Sequence, residues 1–90
     1  MSYVYVLINV RTNRFYIGFS NDLRARVRAH QRRDPAWQLV YYEAYVSEEE
    51  ARKRESGLKQ YGSAWGHLKK RIEKSVDFRK SGRSFELKPQ

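Results

Sequence analysis

The run Tyr3–His30, YVYVLINVRTNRFYIGFSNDLRARVRAH, decides the fold of this chain. Its first residues, YVYVLIN (3–9), are β-branched and aromatic, the composition of a strand. Asn9 to Asn13 carries a threonine and two asparagines, a turn signal, and Arg14 to Phe19 resumes as a second strand. The two are close enough in sequence to pair as an antiparallel hairpin. Alternation puts Val4, Val6 and Ile8 on one face and Tyr5 on the other. On the second strand Phe15, Ile17 and Phe19 oppose Tyr16 and Gly18. With the aliphatic faces turned to the core, Tyr5 and Tyr16 project together on the less buried side.

Working outward, Ser20-Asn21-Asp22 is a helix start, and Asp22 also complements the helix dipole. The helix runs to about Arg32, with Asp34-Pro35 beyond its end. Residues 37–46 (WQLVYYEAYV) are a third strand. Ser47 and Glu50 have capping-box spacing ahead of a second helix that reaches about Gln60, where Gly62 suits its stop. Ser63 caps a third helix carrying Trp65, Leu68 and Ile72 at helical spacing. From Ser75 onward the chain is polar and basic, and reads as a loosely held tail. The expectation is an α/β (α+β) domain over 1–74, a small three-stranded antiparallel sheet flanked by three helices, with a basic tail over 75–90.

Ninety residues make one domain, because two cores would each bury too little surface. A hydrophobic fraction of 40% with 14% aromatics supports one compact core and argues against wholesale disorder. The absence of cysteine excludes a disulfide framework, a cysteine–zinc site and a thiol nucleophile. No apolar run approaches the ~18 residues of a membrane span, and the N-terminus lacks a signal pattern. A soluble, intracellular (cytoplasmic) chain is expected. Nineteen Lys and Arg against ten Asp and Glu give +9, which favours a polyanionic partner. A membrane surface would require an amphipathic helix with a lipid face, whereas the apolar stripes here are short and committed to a core. Nucleic acid is the better fit.

Taken at 100° per residue, the first helix has Leu23 and Val27 on its buried stripe. Arg26 and His30 fall within about 60° of Leu23 and border the core. Arg24, Arg28 and Arg32 lie on the far side, as a solvated face or as phosphate contacts. A guanidinium beside the core needs a partner, and for Arg26 a phosphate and a structural carboxylate both qualify. Glu55 sits between Ala51 and Leu58 on the apolar stripe of the second helix. Such a carboxylate is costly unless paired, hydrogen-bonded or bound to a metal, and an i,i+4 pair with Lys59 is the plain alternative. Glu43 is a second, weaker ligand candidate. His30 alone would be structural, and Tyr5 and Tyr16 alone would be packing aromatics. The combination suits phosphodiester hydrolysis, which needs a deprotonated water, charge neutralisation at phosphorus and a stabilised leaving oxygen.

These residues resemble the GIY-YIG nuclease domain family. Tyr3-Val4-Tyr5 stands for its Gly-Ile-Tyr, with the tyrosine kept, and Tyr16-Ile17-Gly18 is intact. Asn21-Asp22-Leu23 with Arg26 and His30 is similar to its first helix, Leu39-Val40-Tyr41-Tyr42-Glu43 to its third strand, and Ala51, Glu55, Leu58 and Lys59 to its metal-binding helix. The likeness covers residues 2–72 and is greatest to small stand-alone bacterial members related to the nuclease module of the excision-repair endonuclease. It implies a DNA-repair type of enzyme with one Mg²⁺ or Mn²⁺ on Glu55, Arg26 stabilising the transition state, and Tyr5 and Tyr16 positioning or deprotonating water. His30 would assist as proton acceptor. Arg24, Arg28, Lys59 and Lys69 are expected to contact nucleic acid. Two departures stand out: Phe19 occupies a position where several members carry lysine, and no asparagine follows Asn21, although His67 and Lys69 lie near the expected place. The expectation is a metal-dependent DNA endonuclease acting on single-stranded or structured DNA without strict sequence specificity, as a monomer or weak dimer. The alternative is a catalytically silent nucleic-acid-binding module.

Overall fold

Asn9 organises the turn that makes the hairpin. Its side-chain oxygen accepts from the Arg11 and Thr12 amides at 3.1 Å each, while Asn13 adopts the left-handed φ of 62° that asparagine tolerates. The computed structural model describes residues 1–82. Strands β1 (Ser2–Asn9) and β2 (Arg14–Ser20) pair antiparallel, and β3 (Trp37–Tyr45) pairs antiparallel with the other edge of β1. The order β2-β1-β3 makes β1 central. Its side chains are covered on both faces, which explains its near-continuous apolar run.

On one face Val4, Val6 and Ile8 pack with Ala51 and Leu58 of α2 (Glu48–Gln60), Leu68 of α3 (Gly62–Arg71), Ile72, and Val76 of α4 (Glu73–Lys80). On the other face lies α1 (Leu23–Arg33). Asp22 and Ser47 cap α1 and α2 as their positions require, accepting from the Ala25 and Glu50 amides at 3.1 and 3.2 Å.

The register of β3 shifts between Val6 and Leu7, because Val6 faces Tyr41 while Leu7 faces Leu39. Val40 is therefore the extra residue of a β-bulge, and Arg79 Nε donates to the adjacent Leu39 carbonyl at 3.0 Å. The bulge reverses the alternation. Trp37, Leu39 and Tyr42 all share a face with Tyr5, while Val40 and Tyr41 both pack against the core.

Three expectations are corrected. Helices number four among the described residues, since the stretch read as tail from Ser75 continues α4 to Lys80 and buries Val76; residues 83–90 lie outside the described residues. Ser63 does not cap α3. Tyr61 both ends α2, through its amide to the Gly57 carbonyl, and precedes α3, whose first residue is Gly62. Tyr5, placed on the less buried side, is only 1% exposed, because α1 closes that face.

Candidate active site

Tyr5 and Gly18 are cross-strand partners in the hairpin. A Cβ built on Gly18 would stand 2.5 Å from both the Tyr5 Cζ and hydroxyl, and 2.8 Å from Tyr16 Cε2. The glycine is thus the gap through which the Tyr5 ring crosses β2. The ring cannot lie there over any other residue without moving.

Past Gly18 the phenol meets α1, where the Tyr5 hydroxyl and His30 Nε2 are 3.0 Å apart. With the imidazole proton on Nδ1, the phenol donates to Nε2. Tyr16 completes the cluster, its ring centroid 4.6 Å from that of His30 and 6.1 Å from that of Tyr5. Tyr16 is 38% exposed, so the group opens to solvent on the Tyr16 side.

Burial, followed by the Arg26 and Arg33 charges, holds the His30 imidazole below its ordinary 6.5. It is a neutral acceptor near neutral pH. Burial pushes the Tyr5 phenol well up and the neighbouring Tyr16 adds to this, while Arg26 pulls the other way and Glu55 reinforces the rise. Tyr5 is therefore a neutral hydroxyl within reach of a guanidinium and a carboxylate field. Arg26 itself is exposed, a correction to its expected place beside the core, because α1 rests on the sheet without fully burying any residue. Among the described residues no carboxylate pairs with it.

Glu55 has a side chain 21% exposed and accepts from Lys59 Nζ at 3.1 Å. The i,i+4 pair with Lys59, the plain alternative to a metal, thus forms. Glu43 is fully engaged: Tyr41 and Tyr45 donate to it at 2.8 and 2.6 Å, and Arg54 grips both oxygens at 3.0–3.2 Å. Burial would raise its pKa, but the bonds from Arg54, Tyr45 and Tyr41 outweigh that and hold it below the usual carboxylate value. Its lone pairs are spent on tying β3 to α2, which removes it as a ligand candidate. No group of three or more His, Asp or Glu converges among the described residues. A single carboxylate such as Glu55 could hold a hard cation that keeps most of its waters.

The structure brings together Tyr5, Tyr16 and His30, with Arg26 and Glu55 acting on Tyr5 through their charge. It sets Arg24 and Arg28 on the other flank of α1, against β3. Lys69 stands over the Phe15 ring at 5.5 Å, on the opposite face of β2 from Tyr16. Phe19 also faces away from Tyr5, pairing with Val4 and covered by Arg52 at 4.2 Å, so no side chain at position 19 of this backbone addresses the phenol from that face. His67 is exposed on α3. Trp37 was not singled out by the sequence, yet its ring centroid lies 6.3 Å from Tyr16 and 6.4 Å from His30. Only the bulge at Val40 puts it on this face, and strict alternation hides it.

Among the described residues no helix is long and apolar enough to cross a membrane. Comparison with curated proteins and with solved structures found no match. The GIY-YIG catalytic domain matches residues 1–71. Two tyrosines around a glycine, an arginine, a histidine and a helix-borne glutamate stand in that matched segment, and the chain belongs to this family of nucleases.

Proposed function

We propose that this protein is a divalent-metal-dependent endonuclease that hydrolyses DNA phosphodiesters, favouring single-stranded or structured DNA without strict sequence specificity. The observation that carries this reading is the Tyr5–His30 hydrogen bond, made across Gly18 beside Tyr16. It is a proton relay with an exposed mouth. Water attacks phosphorus; its proton passes to the Tyr5 oxygen as the phenol proton passes to His30 Nε2. The P–O bond to the leaving nucleoside breaks, and that oxygen takes up a proton from solvent. A high phenol pKa suits a relay group, which must hold its proton until the acceptor takes it.

Arg26, solvent-facing and beside this pair, supplies a fixed positive charge for the oxyanion that develops on phosphate. Tyr16 flanks the water position with its hydroxyl. Glu55 is the residue that would hold Mg²⁺ or Mn²⁺, which when bound neutralises phosphate charge and lowers the pKa of water. Nucleic acid as partner is supported by the net charge of +9.

The Lys59–Glu55 pair favours a second reading, a binding module in which the carboxylate serves only its helix. End-labelled single-stranded, duplex and branched DNA incubated with Mg²⁺ or Mn²⁺ separates the two. Cutting by wild type that vanishes in Glu55→Ala supports the nuclease. Salt-sensitive binding by both proteins without cutting by either supports the module.

A further inference from the structure

Helix α1 separates two surfaces. On one flank lie Arg26 and His30; on the other lie Arg24, Arg28 and Gln31, about 80–140° round the helix from Leu23. The second flank borders a groove between α1 and β3. Two adjoining hollows of about 380 and 310 Å³ share Leu23 and Arg24 and run together along the helix. Leu23, Val27 and Leu39 form the apolar floor, Arg24 and Arg28 the helix wall, and Tyr42 the end beside the helix N-terminus. Tyr42 is 53% exposed and meets Tyr3 edge-on, with centroids 6.1 Å apart.

Leu23 and Val27 are only partly covered, and no residue of α1 is buried. Among the described residues neither Arg24 nor Arg28 has a carboxylate partner. The carboxylate lining the groove is Asp22, whose Oδ1 is occupied by the Ala25 amide. An apolar floor, a cationic wall and an exposed aromatic ring form a pattern that takes bases on the floor and phosphates on the wall.

We infer that the α1–β3 groove binds an unpaired nucleic-acid strand, with Tyr42 as the stacking platform and Arg24 and Arg28 as phosphate contacts. The inference rests on the nuclease reading only in taking nucleic acid as the polymer. An unpaired strand fits better than a duplex because the apolar floor contacts faces of bases that a duplex keeps stacked. The strand would pass one flank of α1 while the scissile phosphate meets Arg26 and His30 on the other.

Fluorescence anisotropy with labelled single-stranded and hairpin-duplex oligonucleotides, in metal-free buffer, tests this without requiring cleavage. Tyr42→Ala is expected to weaken single-strand binding about tenfold or more and duplex binding much less, with Tyr42→Trp restoring it. Arg24→Gln with Arg28→Gln should lower the slope of log affinity against log salt by about 1.4, about 0.7 for each lost contact to a single strand. Lys53→Gln with Lys70→Gln removes the same charge elsewhere and should change affinity and slope less. Equal effects from both charge pairs, equal losses on single strand and duplex, or no binding at all would overturn the inference. Sedimentation that shows a dimer abolished by Tyr42→Ala would assign the groove to a second copy and overturn it too. Binding as expected without cutting under Mg²⁺ or Mn²⁺ sinks the nuclease reading alone; cutting with Tyr42-independent binding sinks the groove alone.

Discussion

The Tyr5 ring crosses β2 where Gly18 has only hydrogen, with 2.5 Å between the ring's Cζ and the place a Cβ would take. This contact turns a strand glycine, otherwise a small loss of stability, into a condition for the Tyr5–His30 hydrogen bond. Gly18→Ala should move the phenol off His30. Overpacking of this kind destabilises by about 1–3 kcal/mol, and a displacement near ~1 Å costs about a hundredfold in rate. Single-turnover cleavage and thermal unfolding should therefore part company: the variant stays folded and loses activity.

His30 gives a pH signature. Its pKa is held below 6.5 in the fold, so the unfolded chain binds the proton first as pH falls. The stability from keeping His30 neutral is fully present above 6.5 and is lost progressively as pH drops from there toward the folded value. Cleavage should fall over an acid limb that also lies below 6.5, since a protonated imidazole cannot take the phenol's proton. A pH–rate profile of His30→Gln should be lower throughout and lack that limb.

Lys59 competes for the carboxylate that would hold the metal. Lys59→Ala should lower the Mg²⁺ or Mn²⁺ concentration needed for half-maximal cleavage by about twofold, because an exposed i,i+4 pair stabilises by only ~0.3–0.5 kcal/mol and its loss leaves the helix intact. Metal titration of activity checks this. A raised requirement would instead show that the lysine helps to place Glu55.

Glu43 and Arg54 join β3 to α2 through a half-buried ion pair completed by two tyrosine hydroxyls. Glu43→Gln should destabilise by about 2 kcal/mol, read as a lower Tm, with the metal requirement of cleavage unchanged. The Glu43 pKa lies below its ordinary 4.5, so its contribution is present above that value and disappears as acid takes pH through the folded one. Acid unfolding of the variant should lack this component.

Truncation after Glu73 removes Val76 from the core cluster and Arg79 from the Leu39 carbonyl. A buried valine contributes about 1.5–3 kcal/mol, so the shortened chain should melt several degrees lower. A melting temperature equal to that of the full chain would return residues 75–80 to the status of a tail.

What was legible in the sequence was local. The hairpin turn at Asn9–Asn13, the Asp22 and Ser47 caps and the pairing of β1 with β2 all depend on residues near one another in the chain. The Glu55–Lys59 pair was legible for the same reason. What escaped depends on distant partners. Tyr5 is buried only because α1 folds back over it, and Arg26 is exposed because that helix rides high on the sheet. Val76 reads as one apolar residue in a basic stretch until the sheet core is there to receive it. Trp37 escaped because a bulge has no signature in alternation.

That bulge has a consequence for how β3 can vary. With Val40 as a residue out of step, the strand's two ends are phased independently of each other. Straightening the bulge with every residue kept would invert half of the strand, sending Trp37 and Leu39 into the oily interior, whereas removing Val40 itself would leave both on the face they now occupy. Substitutions along β3 are judged one position at a time, whereas the loss of this one irregularity is judged at every position beyond it at once. In this strand, the place of the out-of-step residue is under tighter physical constraint than its identity.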